Sequence, residues 1–339
     1  MRIFAGFLAL VVIVSALADR TRNASARSRI QSHTRVIATL NTGARPEPIL
    51  ADASRHQVYV GNESAATVTV LDDRTNRVLR VISVGHEVED LALDNAAGRL
   101  YVASRNSSNV SVINTSALTV IATIQLGNAP AGVALDPSRH RLYVANTSTN
   151  TVSVIDLRTM RVVRTLSVSG KPQGIGVDTS WHRIFVALNG SNSMVAIDGS
   201  SYAVLGTMSV GALPVHPVRV DAAHHRVYVV NSGSSTLSVV NSRSLRVVRT
   251  IPTGKNPEGL DIAAKAQRAY VSNEGDPGTD KNSGNTVSVI DLHAGRVIDT
   301  VKVLLGPDGV TYDSAVQRLY VNDENQHKVS VIALSPPDR

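Results

Sequence analysis

The chain predicts an all-β fold, a seven-bladed β-propeller with four antiparallel strands per blade, and three observations predict it. An aromatic-Val pair recurs seven times, as Tyr59-Val60, Tyr101-Val102, Tyr143-Val144, Phe185-Val186, Tyr228-Val229, Tyr270-Val271 and Tyr320-Val321. Successive aromatics are 42, 42, 42, 43, 42 and 50 residues apart. A period in the low forties built of short strand-like runs marks one four-stranded blade per repeat. The repeats are also out of phase with the chain. The last one stops after Val329-Ser330-Val331-Ile332, its third strand, while Val36-Ile37-Ala38-Thr39 near the start matches the fourth-strand residues Val120-Ile121-Ala122-Thr123. The N-terminal strand is therefore expected to close the seventh blade, which leaves the ring no unpaired end.

The third repeat shows why each element forms. Gly127 to Gly132 reads as a turn and Val133-Ala134-Leu135 as a short apolar strand, a. Asp136-Pro137-Ser138-Arg139-His140 is a turn in which the aspartate can cap. Arg141 to Ala145 is strand b, Asn146 to Asn150 a polar loop, and Thr151-Val152-Ser153-Val154-Ile155 strand c, alternating as a half-buried strand does. Asp156 to Thr159 turns the chain again, and Val162 to Val168 is strand d.

Outside the repeats the ends read differently. Arg2, the apolar run Ile3 to Val14 and the small-x-small site Ala16-Leu17-Ala18 read as a signal peptide over residues 1–18. The apolar stretch is about 15 residues, short for a membrane span, and an uncleaved anchor is the alternative. Residues 19–33 read as a flexible basic tail, 34–333 as the propeller and 334–339 as a C-terminal tail. Cleavage would leave no transmembrane span and a secreted or periplasmic protein, expected to be a monomer. The chain has no cysteine, which excludes disulfides, a thiolate nucleophile, Cys-ligated metals and a lipidated cysteine. The formal charge of +7 falls to +3 once Arg2, Arg20, Arg22, Arg27, Arg29, Arg339, Asp19 and Asp338 are set aside.

Several motifs repeat across blades: Tyr-Val-Ala-Asn at 143–146, Asn-Thr-Val-Ser-Val-Ile-Asp at 150–156 and 285–291, and Gly-x-x-Pro-x-Gly at 127–132 and 254–259. With these motifs the chain resembles the YVTN-repeat β-propellers, extracytoplasmic proteins of bacteria and archaea, over residues 34 to 333. The resemblance implies fold and compartment, and brings no shared catalytic motif. The departures are Leu188 for the Asn after strand b, Ala263 for the Asp after strand a, and an insertion in blade six, Gly275 to Gly284.

Most repeated polar residues read as scaffold. The aspartates after strand a (Asp52, Asp94, Asp136, Asp178, Asp221, Asp313) and after strand c (Asp72, Asp156, Asp198, Asp291) read as turn caps. His56, His140, His182 and His225 share one turn of successive blades, which is expected to hold them too far apart for a common metal. Beyond the seven packing aromatics and Phe4 and Phe7, only Trp181, Tyr202 and Tyr312 remain, few platforms for stacking sugars or bases.

Strand direction sorts the charges onto two faces. The d-to-a and b-to-c loops form a top that carries Glu47, Glu63, Glu87, Glu89, Asp90, Glu258, Glu274, Asp308, Asp323 and Glu324 among others. The bottom carries a ring of Arg99, Arg141, Arg183, Arg226, Arg268 and Arg318, each two residues before its aromatic, and further arginines in the c-to-d turns. An acidic top and a basic bottom follow. At the residue entering strand a, nearest the channel, stand Glu47, Glu89, Ala131, Gln173, His216, Glu258 and Asp308. Such a ring could hold a cation or carry raised carboxyl pKa values. In the blade-six insertion, Asp280-x-Asn282-x-Gly284 faintly resembles a calcium loop without its glutamate, and a longer, lid-like loop is the simpler expectation.

Three functions follow, with no triad, Cys/His cluster or phosphate loop in the sequence to favour an enzyme. The first is a binding module that presents its top face, with Glu47, Glu89, Gln173, His216, Glu258 and Asp308, to a protein or small-molecule partner. The second is a metal-assisted lyase or lactonase, with a divalent cation as cofactor and Glu89, Glu258 and His216 as ligands, acid or base. The third is binding of nucleic acid or an anionic envelope through the arginine ring.

Overall fold

The computed structural model describes residues 34–126, 129–275 and 285–334. The signal peptide, the basic tail, the body of the blade-six insertion and residues 335–339 lie outside them. The described residues between 35 and 334 form seven four-stranded antiparallel sheets. Blade 3 is typical, with strand a Pro130–Asp136, b Arg141–Asn146, c Thr151–Asp156 and d Arg161–Ser167. Each strand is a residue or more longer than its apolar core, because polar end residues still pair across the ladder, as Arg141 does with Asp156.

Blade 7 consists of Pro307–Asp313, Arg318–Asp323, Lys328–Ala333 and, as its outer strand, Arg35–Asn41. Leu40 pairs with Val329 and Arg35 with Ala333. Side chains tie blade 7 to blade 1 as well: Arg318 donates to the Asp73 carbonyl at 2.9 Å, and Thr311 Oγ1 accepts from the Ala51 N–H at 3.1 Å.

The core lies between blades. Tyr143 of blade 3 packs with Ile175 and Ile184 of blade 4, and Tyr59 of blade 1 with Leu91 and Leu100 of blade 2. Burying one such ring removes about 200 Å² from water, an upper estimate of roughly 5 kcal/mol. The repeated aspartates cap turns. Asp52 Oδ1 accepts from the N–H groups of Ser54 and Arg55 at 3.0 and 3.1 Å, and Asp72 Oδ1 from those of Arg74 and Thr75 at 3.0 and 2.7 Å. Among the described residues no helix is long and apolar enough to cross a membrane.

Candidate functional site

The inner strands aim their first residues with β-bulges. In six blades the register slips by one residue near the top of strand a, between Pro46 and Ile49, Val88 and Asp90, Pro130 and Val133, Pro172 and Ile175, Pro257 and Leu260, and Pro307 and Val310. Glu47, Glu89, Ala131, Gln173, Glu258 and Asp308 each sit within one of these slips. A bulge bends the strand and redirects a side chain. Blade 5 differs. Pro214 and Pro217 bracket His216, and neither has an N–H for a ladder. Its inner strand shrinks to Arg219–Asp221, and His216 lies in irregular backbone ahead of it.

The neighbouring blade holds each bulge close. A Cβ built on Gly132, Gly259 or Gly309 would lie 2.4, 2.2 or 2.3 Å from the carbonyl oxygen of Gln173, Asp308 or Glu47, respectively. The glycine two residues after the proline of strand a (Pro130, Pro257, Pro307) therefore makes room for the next blade's bulge. Two polar residues fix these carbonyls. Asn322 Nδ2 donates to the Glu47 carbonyl at 2.7 Å, and Ser272 Oγ donates to the Asp308 carbonyl and accepts from Gly259 N–H at 2.9 Å. Other blades have Gly61, Ala103, Ala145, Ala187 or Val230 at that position. This departure from small apolar residues is the signal by which the pair could have been found.

His216 reaches across the channel. Its Nε2 lies 3.8 Å from Glu47 Oε1 and 3.7 Å from Glu89 Oε2. One coordinating atom from each of the three lies within 4.8 Å of the others. Beside them is a cavity of about 20 Å³, lined by Glu47, Asp90, His216, Arg219 and Asp308 among others. That is room for a water-sized species. Arg105 partly neutralises the cluster, with Nη2 2.8 Å from Glu89 Oε2 and Nη1 3.6 Å from Glu87 Oε1.

Of the six predicted mouth residues, Glu47, His216 and Asp308 line the cavity, and Glu89 joins them through Glu47 and His216. Glu258 stands beside Asp308, close enough for its charge to raise the Asp308 carboxyl. Gln173 is not part of the cavity wall.

The electrostatics follow from burial. Glu89 is pushed up to about 8 by desolvation, which Arg105 opposes and Glu87, Glu63 and Asp90 reinforce. Glu258 also rises to about 8, through desolvation and then the charges of Glu274 and Glu324. Desolvation and the nearby carboxylates hold Glu47 and Asp308 well above the usual range. His216 falls to about 4, through desolvation first and then Arg105 and Arg219. Two carboxyls under 4 Å away would ordinarily stabilise an imidazolium. Here the same burial raises both carboxyls, and for the imidazole desolvation is the largest influence, so its charged form is disfavoured. A neutral imidazole is the form that binds metals.

Polar side chains on the inner strands of blades 5, 6 and 7 join one another beside the cavity. Arg219 Nε lies 3.1 Å from Asp261 Oδ1, and Asp261 Oδ2 accepts from Thr311 Oγ1 at 3.2 Å and Tyr312 N–H at 2.8 Å. Buried Asp90 accepts from Leu91 N–H at 2.8 Å and from Val133 N–H, in the next blade, at 2.9 Å, and its carboxyl rises to about 6 through burial, opposed by Arg219 and these N–H groups. Arg219, Asp261 and Thr311 escaped the sequence reading. Their signal is a polar residue within an inner strand, where other blades have apolar ones.

At the bottom, the arginine ring is built into the scaffold. Arg141 lies 2.5 Å from Asp156 and Arg268 3.6 Å from Asp291. Arg183, Arg226 and Arg318 donate to the carbonyls of Ser242, His225 and Asp73 at 2.5, 3.2 and 2.9 Å. Arg99 is half-buried opposite Asn114. Arg74, Arg77, Arg158, Arg161, Arg243, Arg246 and Arg296, in and beside the c-to-d turns, are exposed instead. In the histidine turns, His182 Nδ1 is 2.8 Å from Asp136 Oδ2 of the preceding blade, a carboxylate contact between turns.

Solved structures share this architecture. Hydrazine synthase of Kuenenia stuttgartiensis superposes with a TM-score of 0.74 at 19% identity, over 90% of this chain and 99% of that one. The β-propeller domain of Myceliophteria thermophila Cps50 (Swd1) superposes with a TM-score of 0.75 at 10% identity, over 89% and 100% of the two chains. At these identities the likeness is one of fold. No family model and no curated protein matches the chain.

Proposed function

We propose that this propeller is an extracytoplasmic binding module of the YVTN-repeat type, and that its ligand site is the acidic mouth of the channel, where Glu47, Glu89 and His216 hold a divalent cation as part of the site. The observation that carries this reading is the convergence of two carboxyl groups and an imidazole within 4.8 Å beside a water-sized cavity. A cation there would relieve the repulsion that protons relieve in its absence, and metal binding would release those protons. One imidazole with carboxylates suits zinc or manganese better than calcium, which takes six or more oxygens. The carbonyls of Glu47 and Asp308 are already engaged by Asn322 and Ser272. A small ligand or a partner's side chain would complete the coordination of such an ion. The metal-assisted lyase or lactonase reading uses the same ion, with Glu258 as its proton donor.

Thermal unfolding of the propeller with zinc, manganese, magnesium, calcium or chelator tests the proposal. An ion at about 100 times its Kd stabilises the folded state by about 2.7 kcal/mol. The midpoint is expected to rise with zinc or manganese in the parent and not in Glu89→Gln. A flat response to every ion would overturn the metal reading.

A further inference from the structure

The chain's single tryptophan sits at a turn position that varies from blade to blade. In the a-to-b turns of blades 1 and 3 the corresponding residue is an arginine that faces its own capping aspartate. Arg55 Nη1 lies 3.2 Å from Asp52 Oδ2, and Arg139 Nε 4.0 Å from Asp136 Oδ2. Blade 4 has Trp181 there, and Asp178 Oδ2, fully buried, is left without a hydrogen-bond partner. An unmade bond to a buried carboxylate destabilises, so the turn is worse capped with Trp181 than with the arginine of its relatives. The indole is not buried in exchange, since Trp181 remains 42% exposed.

What surrounds the ring is cationic. The Arg243 guanidinium lies 5.0 Å from the ring centroid and that of Arg183 5.7 Å, while His225 meets the ring edge-on at 6.2 Å. Arg183 is fixed in turn by the carbonyls of Ser242 and Arg243, at 2.5 and 2.9 Å. Arg243 is exposed, and among the described residues no carboxylate pairs with it. The indole orients its guanidinium while the N–H edges stay available. A planar fork held this way suits a carboxylate, and pre-orientation lowers the cost of binding one. Exposed tryptophan beside arginine is also the composition of interface hot spots.

We propose that this seam between blades 4 and 5, on the bottom face, docks an acidic segment of a partner protein, with Arg243 as its carboxylate clamp and Trp181 as the platform that holds the clamp in place. Charge complementarity supports that occupant, because Arg246 adds a further exposed cation beside the same turn. Single-stranded nucleic acid fits less well. It needs a free aromatic face for stacking, and guanidinium groups already lie against this indole.

Trp181 supplies the readout. A fluorescein-labelled hexaglutamate peptide is titrated into the full chain at low salt, following tryptophan emission and peptide anisotropy. A saturable change is expected in both. Arg243→Ala should weaken the peptide about tenfold, and Trp181→Ala comparably by anisotropy. Arg158→Ala, at the same turn position in blade 3, should leave binding unchanged. In a separate melt, Trp181→Arg should raise the unfolding midpoint by restoring the cap on Asp178. Equal loss in Arg158→Ala would mean general charge attraction and overturn the site. So would the absence of saturation, tighter binding of an oligothymidylate, or an emission change with protein concentration alone, which would indicate a second copy at the seam.

Discussion

Glu258 shows how burial becomes a measurable property. Its carboxyl is raised to about 8 from an ordinary 4.5, through desolvation and then the charges of Glu274 and Glu324. The folded protein therefore holds a proton that the unfolded chain has lost between about pH 4.5 and 8. Stability falls as pH rises through that window, and the whole penalty is present above it. Glu258→Gln removes the ionisable group and keeps the shape. It is expected to stabilise the propeller at pH 9 by on the order of 1 kcal/mol, discounted for the partial exposure of the side chain, and to change little at pH 5. Chemical denaturation at the two pH values checks this. An equal gain at both would place the effect outside ionisation. His216 moves the opposite way, and its neutrality at pH 7 is what makes it available as a ligand.

The bulged inner strand is the element on which the site depends. Gly132→Ala would drive a methyl group to 2.4 Å from the Gln173 carbonyl oxygen, whereas a Cβ on Gly206 meets nothing nearer than Leu245 at 3.5 Å. Gly132→Ala is expected to cost roughly 2–3 kcal/mol, in the range of overpacked cores, and Gly206→Ala less than about 0.5 kcal/mol. Urea unfolding of the two variants makes the comparison, and a similar small cost in both would show that the blades simply shift apart. The strands themselves were legible from the aromatic-Val period and from the third-strand ending at Ile332, because each repeat is one supersecondary unit. The mouth was legible as a ring of positions. The convergence within it was not, because that requires His216 of blade 5 to cross toward blades 1 and 2, which depends on how Pro214 and Pro217 disrupt one inner strand. Periodicity describes what blades share, and Ser272, Asn322 and Arg219 act by departing from it. The free outer strands carry exposed Val78, Leu79, Val163 and Val204, and Arg77, Arg80, Arg161 and Arg164 beside them blunt edge-to-edge pairing.

Taken whole, the molecule has two chemically opposed faces, each less uniform than its charges suggest. On the top, Arg45 draws Glu63 to 2.9 Å and its Nε donates to Glu324 at 2.6 Å, while Arg105 holds Glu87 and Glu89. Among the described residues these pairs leave Glu47, Glu258 and Asp308 without an Arg or Lys ion pair of their own. On the bottom, the inner arginine ring is tied into the blades, and the exposed turn arginines meet an aromatic at the Trp181 seam. The central claim is that the channel mouth is a ligation site that includes His216, and cobalt tests it most directly. Co²⁺ titrated into the propeller is predicted to give visible d–d absorption that saturates at one equivalent, is lost in His216→Ala and persists in Arg243→Ala at the far face, with circular dichroism showing each variant folded. Absorption that is absent, or unchanged by loss of the imidazole, would contradict it.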